Sequence, residues 1–329
     1  MRAAAARVNA LRGRPAIRVA GFVLGAGLVV AAIVAALWQN PDGLREAYAA
    51  MRARPAWEVV ALFALPALNW LVIATSLWVL TERFGRLGWT EMTGLIGLAW
   101  LLNYLPMRPG LVSRVTYHKM VNGIRVRESA RALAEGAAST AISAGVLLAV
   151  ALLLRGVPAG VAWLAMAIGP VVLGGFVASS SFRARPLVAR YAIATGLRSL
   201  DMTIWAARYA LAFGVIGVPI DASGAMALAI ASQLAMLVPI AGNGLGLREW
   251  MIGALASGAL TTAAVAGGGI ELGQGLTADV LNRAAEVLVS IPVGLLGLAL
   301  TIRRLRRHRR GGASERGQGR SARASDANV

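Results

Sequence analysis

Apolar stretches of about 20 residues recur along this chain, at residues 19–38, 57–80, 132–154, 157–178, 200–217 and 280–302. That is the length an α-helix needs to cross a hydrocarbon core. With 57% of its residues hydrophobic, the chain has lipid rather than water as its main solvent, and one bundle can use most of it. The expected class is all-α and polytopic. The chain has no cysteine, which excludes disulfides, zinc–thiolate sites and a thiol nucleophile. Its two histidines, His118 and His308, are too few for a His-rich metal site. No carboxylate cluster has metal-ligand spacing, so no cofactor or metal is expected.

The formal net charge of +18 raises nucleic acid as a partner, but the charges lie elsewhere. Arg2, Arg7, Arg12, Arg14 and Arg18 precede the first apolar stretch; Arg303, Arg304, Arg306, Arg307, Arg309 and Arg310 follow the last. Basic clusters abutting spans are the positive-inside pattern, with attraction to anionic lipid at the cytoplasmic surface. No nucleic-acid partner is expected. Residues 19–38 are too long for the apolar region of a signal peptide and more spans follow, so they read as an uncleaved first helix.

Two further apolar segments are interrupted. Residues 101–114 read Leu-Leu-Asn-Tyr-Leu-Pro-Met-Arg-Pro-Gly-Leu-Val-Ser-Arg, and residues 237–249 read Leu-Val-Pro-Ile-Ala-Gly-Asn-Gly-Leu-Gly-Leu-Arg-Glu. Each has a Pro, then Gly, then an Arg that opens a new helical run. The basic stretch after the first break (Arg114, Lys119, Arg125, Arg127, Arg131) belongs on the cytoplasmic side, so residues 90–122 must return to the side they came from. Residues 223–260 do the same from the other side. The choice between re-entrant hairpins and pairs of short helices stays open. Each half then holds an odd number of crossings, three, plus one broken segment, which makes an inverted-topology repeat of six full spans and two broken hairpins. The predicted division is a basic cytoplasmic arm (1–18), a first membrane repeat (19–154), a second (157–302) and a basic disordered cytoplasmic tail (303–329).

Paired broken segments point to a transport site near the midplane. Candidate binding residues at the first break are Asn103, Arg108, Gly110 and Arg114. A helix starting after Pro109–Gly110 aims backbone N–H groups into the break, and two guanidiniums strengthen such an anion site; as a structural alternative, both arginines set topology at the cytoplasmic edge. At the second break, Gly242, Asn243, Gly244 and Gly246 allow close backbone approach. Arg248 and Glu249 open the next helix, where Glu249 serves as a dipole partner, pairs with Arg248, or binds a proton or headgroup amine. Arg208 stands inside a span, where an arginine costs roughly 2.5–3.5 kcal/mol. It reaches an anionic headgroup, pairs with Asp201 two turns earlier, or pairs with a carboxylate of another helix. Glu135 and Glu286 lie near the start of the last span of their halves, one turn after Arg131 and Arg283. Intrahelical pairing and a coupling or headgroup role in a cavity are both open for them.

These motifs resemble the flippase-like family built around the transmembrane region of lysylphosphatidylglycerol synthases, over about residues 17–303. The first family signature is met by Asn103, Pro106, Arg108, Gly110 and Arg114, with Leu111 where the family has a Glu. A following Glu-Arg-x-x-Asp pattern keeps only Glu135, with Gly136 and Ser139 in the other places. The second signature is met by Pro239, Gly242, Gly244, Gly246 and Glu249, and a later Arg by Arg283. The aminoacyl-transferase domain of the synthases is not expected. The resemblance implies translocation of a lipid or lipid-linked intermediate across a bacterial cytoplasmic membrane, by a multi-pass protein with both termini inside. Two alternatives stand beside it: a membrane-embedded lipid-modifying transferase, for which no catalytic constellation is present, and a non-transporting partner of a lipid-synthesising enzyme.

Overall fold

The computed structural model describes residues 49, 52, 54–104, 109–154, 156–181, 186–236, 247–258 and 270–326, with side chains as far as 305. Outside the described residues lie the first expected span (19–38), Pro106 and Arg108 of the first break, and Pro239, Gly242, Asn243, Gly244 and Gly246 of the second.

All regular structure among the described residues is helical. The helices are α1 (Ala56–Thr81), α2 (Trp89–Leu102), α3 (Pro109–Val121), α4 (Val126–Leu153), α5 (Ala159–Ser181), α6 (Pro186–Val215), α7 (Ala222–Ala235), α8 (Leu247–Gly258) and α9 (Leu272–Asp326). Four of them, α1, α4, α5 and the first part of α9, are long and apolar enough to cross a membrane. Their polarity is inside out relative to a water-soluble domain. Leu164, Ile168, Leu173 and Phe176 of α5 are exposed, while Arg208 and Arg248 are fully buried. Apolar side chains facing outward and charges facing inward are what a hydrocarbon solvent selects. The protein is an α-helical membrane protein.

The short helices sit where the sequence breaks. At 14 and 13 residues, α2 and α3 rise about 20 Å each, too little to span. The same holds for α7 and α8, with 14 and 12 residues. Each short pair packs as a hairpin, α2 on α3 and α7 on α8. The first hairpin closes tightly because of Gly110: a Cβ there would stand 2.2 Å from the carbonyl oxygen of Ala99 and 2.6 Å from Asn103 Oδ1. The contact of α2 with α9 is similarly backbone to backbone, since a Cβ on Gly297 would meet the Gly94 carbonyl at 2.3 Å. Small residues at such crossings let membrane helices approach closely.

α6 is the central helix, packed on α1, α4, α5, α7 and α9. Its 30 residues reach about 45 Å. It starts at Pro186, not near residue 200, so Arg190 and Arg198 are helical rather than in a connector. Their charges are met locally: Arg190 donates to Glu82 and Arg198 to Asp201. The last helix also begins earlier than expected, at Leu272, which brings Asp279 into it. At its other end the helical backbone continues to Asp326.

The helix ends collect on two faces. On one, Arg83 and Tyr191 reach Glu135, Arg190 reaches Glu82, and Arg304 reaches Glu91. This face also carries Arg86, Lys119, Arg125, Arg127 and Arg131. On the opposite face Arg54 donates to the carbonyl of Gly214, and Asp221 caps α7 through the N–H of Gly224 at 2.7 Å. Basic residues predominate on the first face.

Candidate functional site

Where the inner ends of α2, α3 and α7 meet the middles of α1, α4, α6 and α9, the bundle encloses a cavity of about 450 Å³. Most of its wall is apolar. Its polar groups come from Asn69, Asn103, Arg114, Arg198, Arg208 and Glu286, with Gln233 at the α7 tip. The rim is apolar: Leu111 on α3 and Leu234 on α7 line the cavity and are 44% and 54% exposed.

Beside the cavity lies a buried ionic network. Glu286 is its hub. Its Oε2 accepts from Arg208 Nη2 at 3.2 Å and Arg248 Nη1 at 3.0 Å; its Oε1 accepts from Trp100 Nε1 at 3.2 Å and Tyr104 Oη at 3.1 Å. One carboxylate thus ties the end of α2, the middle of α6 and the start of α8 to α9. Arg248 also reaches Asp279 at 3.2 Å, which accepts from Tyr209 Oη at 2.8 Å. Arg283 donates to Glu249 at 2.9 Å. Arg208 is further held by Asn282 Oδ1 at 3.0 Å and lies over the Trp205 ring, 4.0 Å from its centroid. Taking these charges out of water costs several kcal/mol per ion, which only close pairing and hydrogen bonding offset.

Arg208 does not pair directly with Asp201. Asn69 stands between them, donating to Asp201 Oδ1 at 2.7 Å and accepting from Arg208 Nη1 at 3.2 Å. The ion-pair partner of Arg208 is Glu286, a carboxylate of another helix, as one of the open alternatives had it. Glu249 does not pair with Arg248. Successive residues on a helix point about 100° apart and cannot face each other, so each turns to a different residue of α9. Glu135 bonds Arg131 at 2.9 Å in the expected intrahelical pair. It also takes Arg83 and Tyr191 at the basic face and does not line the cavity. Glu286 does line it, so the two carboxylates that share a sequence position have different surroundings.

Asn103 and Arg114 both line the cavity, and Gly110 acts through packing. Asn103 Oδ1 is buried without a hydrogen-bond partner. Arg114 is 8% exposed and has no hydrogen bond or ion pair among the described residues. Sequence reasoning missed Arg198, Asp279 and Asn282. Helical spacing carried the signal: Arg198, Asp201 and Arg208 share one face of α6, as do Asp279, Asn282, Arg283 and Glu286 on α9. Arg198 and Asp279 fall just before the apolar stretches 200–217 and 280–302, so apolar length alone does not include them. No protein-family model, curated protein or solved structure matches the chain.

Proposed function

We propose that the protein translocates a lipid, or lipid-linked intermediate, with an anionic headgroup across the cytoplasmic membrane. One observation carries this reading: a cavity with guanidinium groups in its wall, Arg114, Arg198 and Arg208, has an apolar rim at Leu111 and Leu234. A charged headgroup crosses hydrocarbon only at great cost. Inside this cavity it meets arginines, while its acyl chains leave past the rim and stay in lipid.

The inverted repeat is part of the proposal, and the pattern of helix contacts supports it. Exchanging α1 with α6, α2 with α7, α3 with α8 and α4 with α9 maps contacts onto contacts. The hairpin α2–α3 answers α7–α8; α2 on α9 answers α7 on α4; α1 and α6 pack on each other across the centre. Six full spans follow if residues 19–38 supply the counterpart of α5. The basic face then lies inside with both termini, as the Arg and Lys distribution favours. The resemblance to the lysylphosphatidylglycerol synthase transmembrane region supports the same reading.

The test is reconstitution into liposomes holding a fluorescent phosphatidylglycerol in both leaflets. Addition of an impermeant quencher should bleach beyond the outer-leaflet half only where the protein is present. Bleaching that stops at half in proteoliposomes would overturn translocation of this lipid.

A further inference from the structure

Among the described residues the buried charges nearly cancel in pairs, with one exception. Arg198 is set against Asp201. Arg208 and Arg248 are set against Glu286 and Asp279. Arg283 is set against Glu249. Arg114 has no such partner among the described residues. It lies in the cavity wall, more than nine-tenths buried, and the same wall carries another guanidinium, Arg198. Arg198 itself is only loosely held. Its hydrogen bond to Asp201 is 3.5 Å long, and its Nε is buried without a partner. One turn before Arg114 on α3, where an acidic side chain would neutralise it, stands Leu111.

We propose that Arg114 and Arg198 form a binding site for one negative charge, the phosphodiester of a lipid whose headgroup substituent is neutral. The inference rests on the translocation reading and narrows its substrate class. A buried cation left alone is costly, and a single bound anion removes that cost. Among the described residues the site has one positive charge to offset, so a monoanion leaves it neutral. A phosphomonoester carries about 1.5–2 negative charges at pH 7 and leaves a surplus. Both guanidiniums line the same cavity, and a guanidinium suits the non-ester oxygens of a phosphate. Leu111 and Leu234 at the rim favour a lipid over a free phosphate ester, because the tails have an apolar exit there. Arg208 has no part in the site, since Glu286, Asn282 and Asn69 already occupy it.

The test is binding to the detergent-purified full chain, followed by thermal shift and calorimetry. The probes are dihexanoyl phosphatidylglycerol, dihexanoyl phosphatidic acid and tail-free glycerophosphoglycerol. Phosphatidylglycerol should bind saturably and better than phosphatidic acid, and the tail-free compound should bind at least roughly tenfold more weakly. Arg114→Gln should weaken phosphatidylglycerol roughly tenfold or more, the loss expected of a hydrogen-bonded charge. Arg114→Lys should restore part of it. Leu111→Glu keeps both arginines but supplies an internal carboxylate one turn away, and should abolish binding as completely. Without lipid, Arg114→Gln should melt no lower than wild type, because it removes an uncompensated charge.

Equal binding by wild type and Arg114→Gln would overturn the site, as would a clear fall in the melting temperature of the lipid-free variant. Tighter binding of phosphatidic acid would overturn the single-charge assignment. Equal binding of glycerophosphoglycerol would overturn the lipid. Failure of translocation reads differently: binding without exchange in liposomes removes translocation and leaves the site. Exchange that survives both Arg114→Gln and Leu111→Glu removes the site and leaves translocation.

Discussion

Asp201 and Arg208 share a face of α6 yet never touch, because the amide of Asn69 bridges them with its nitrogen on one and its oxygen on the other. Asn69 belongs to α1, so α1 is joined to the centre of the bundle by a polar link within an apolar contact. The amide also donates to the backbone carbonyl of Asp201 at 3.0 Å. No other neutral side chain of this length offers both a donor and an acceptor.

Asn69→Leu should therefore be destabilising although it makes α1 more apolar. It leaves Asp201 and Arg208 each one bond short, and hydrogen bonds to charged groups contribute about 1.5–3 kcal/mol each. Thermal unfolding in detergent should show a lower midpoint. Asp201→Asn should not compensate, because the Arg208 bond is lost regardless.

Glu286→Gln should be the more severe change. It removes the carboxylate that Arg208 and Arg248 share and leaves both buried. Breaking a buried ion pair from one side costs about 3–5 kcal/mol. Membrane-inserted yield should fall sharply. Arg208→Met combined with Glu286→Gln should recover part of it, since fewer uncompensated charges remain.

Glu249→Gln separates two roles when read with its partner. Alone it removes the carboxylate that the buried Arg283 holds, so a loss of stability is expected. With Arg283→Met added, neither member of this pair is left without the other and the melting temperature should return toward wild type. If Glu249 is a coupling group, liposome exchange should remain lost in the stable double variant. Exchange that returns together with stability would make the pair structural.

Gly110→Ala should open the first hairpin. The added Cβ meets the Ala99 carbonyl at 2.2 Å, and overpacking against backbone costs about 1–3 kcal/mol. Gly145 in α4 is the control: a Cβ there has nothing within 4 Å. Gly145→Ala should be neutral or stabilising by up to about 1 kcal/mol, the helix propensity difference. Both are read by unfolding in the same detergent.

Sidedness is read with single cysteines, which need no background removal because the chain has none. Arg127 lies on the basic face and Glu271 on the opposite one, and both are exposed. An impermeant thiol reagent should label Arg127→Cys only from the cytoplasmic side and Glu271→Cys only from outside. Labelling of both from one side would remove the proposed topology.

The membrane class, four apolar spans and the short helix pairs flanking the two breaks were legible in the sequence because they depend on local properties. Apolar length, Pro–Gly interruption and the sidedness of arginine act through the solvent, residue by residue. The expected ends of the short helices agree with the structure to within a few residues: 90–105 became α2, 223–240 became α7, and residue 247 does begin α8. Partner choice was not legible. Arg248 and Glu249 are adjacent in sequence and point to different residues of α9; Arg208 and Glu286 are 78 residues apart and touch. Glu135 and Glu286 hold matching places in their halves, and only one faces the cavity. Which charges meet depends on how helices rotate and cross, which side chains far apart in the chain decide together. That Arg114 has no ion-pair partner among the described residues emerges only from that arrangement, in which the carboxylates around the cavity are claimed by other arginines.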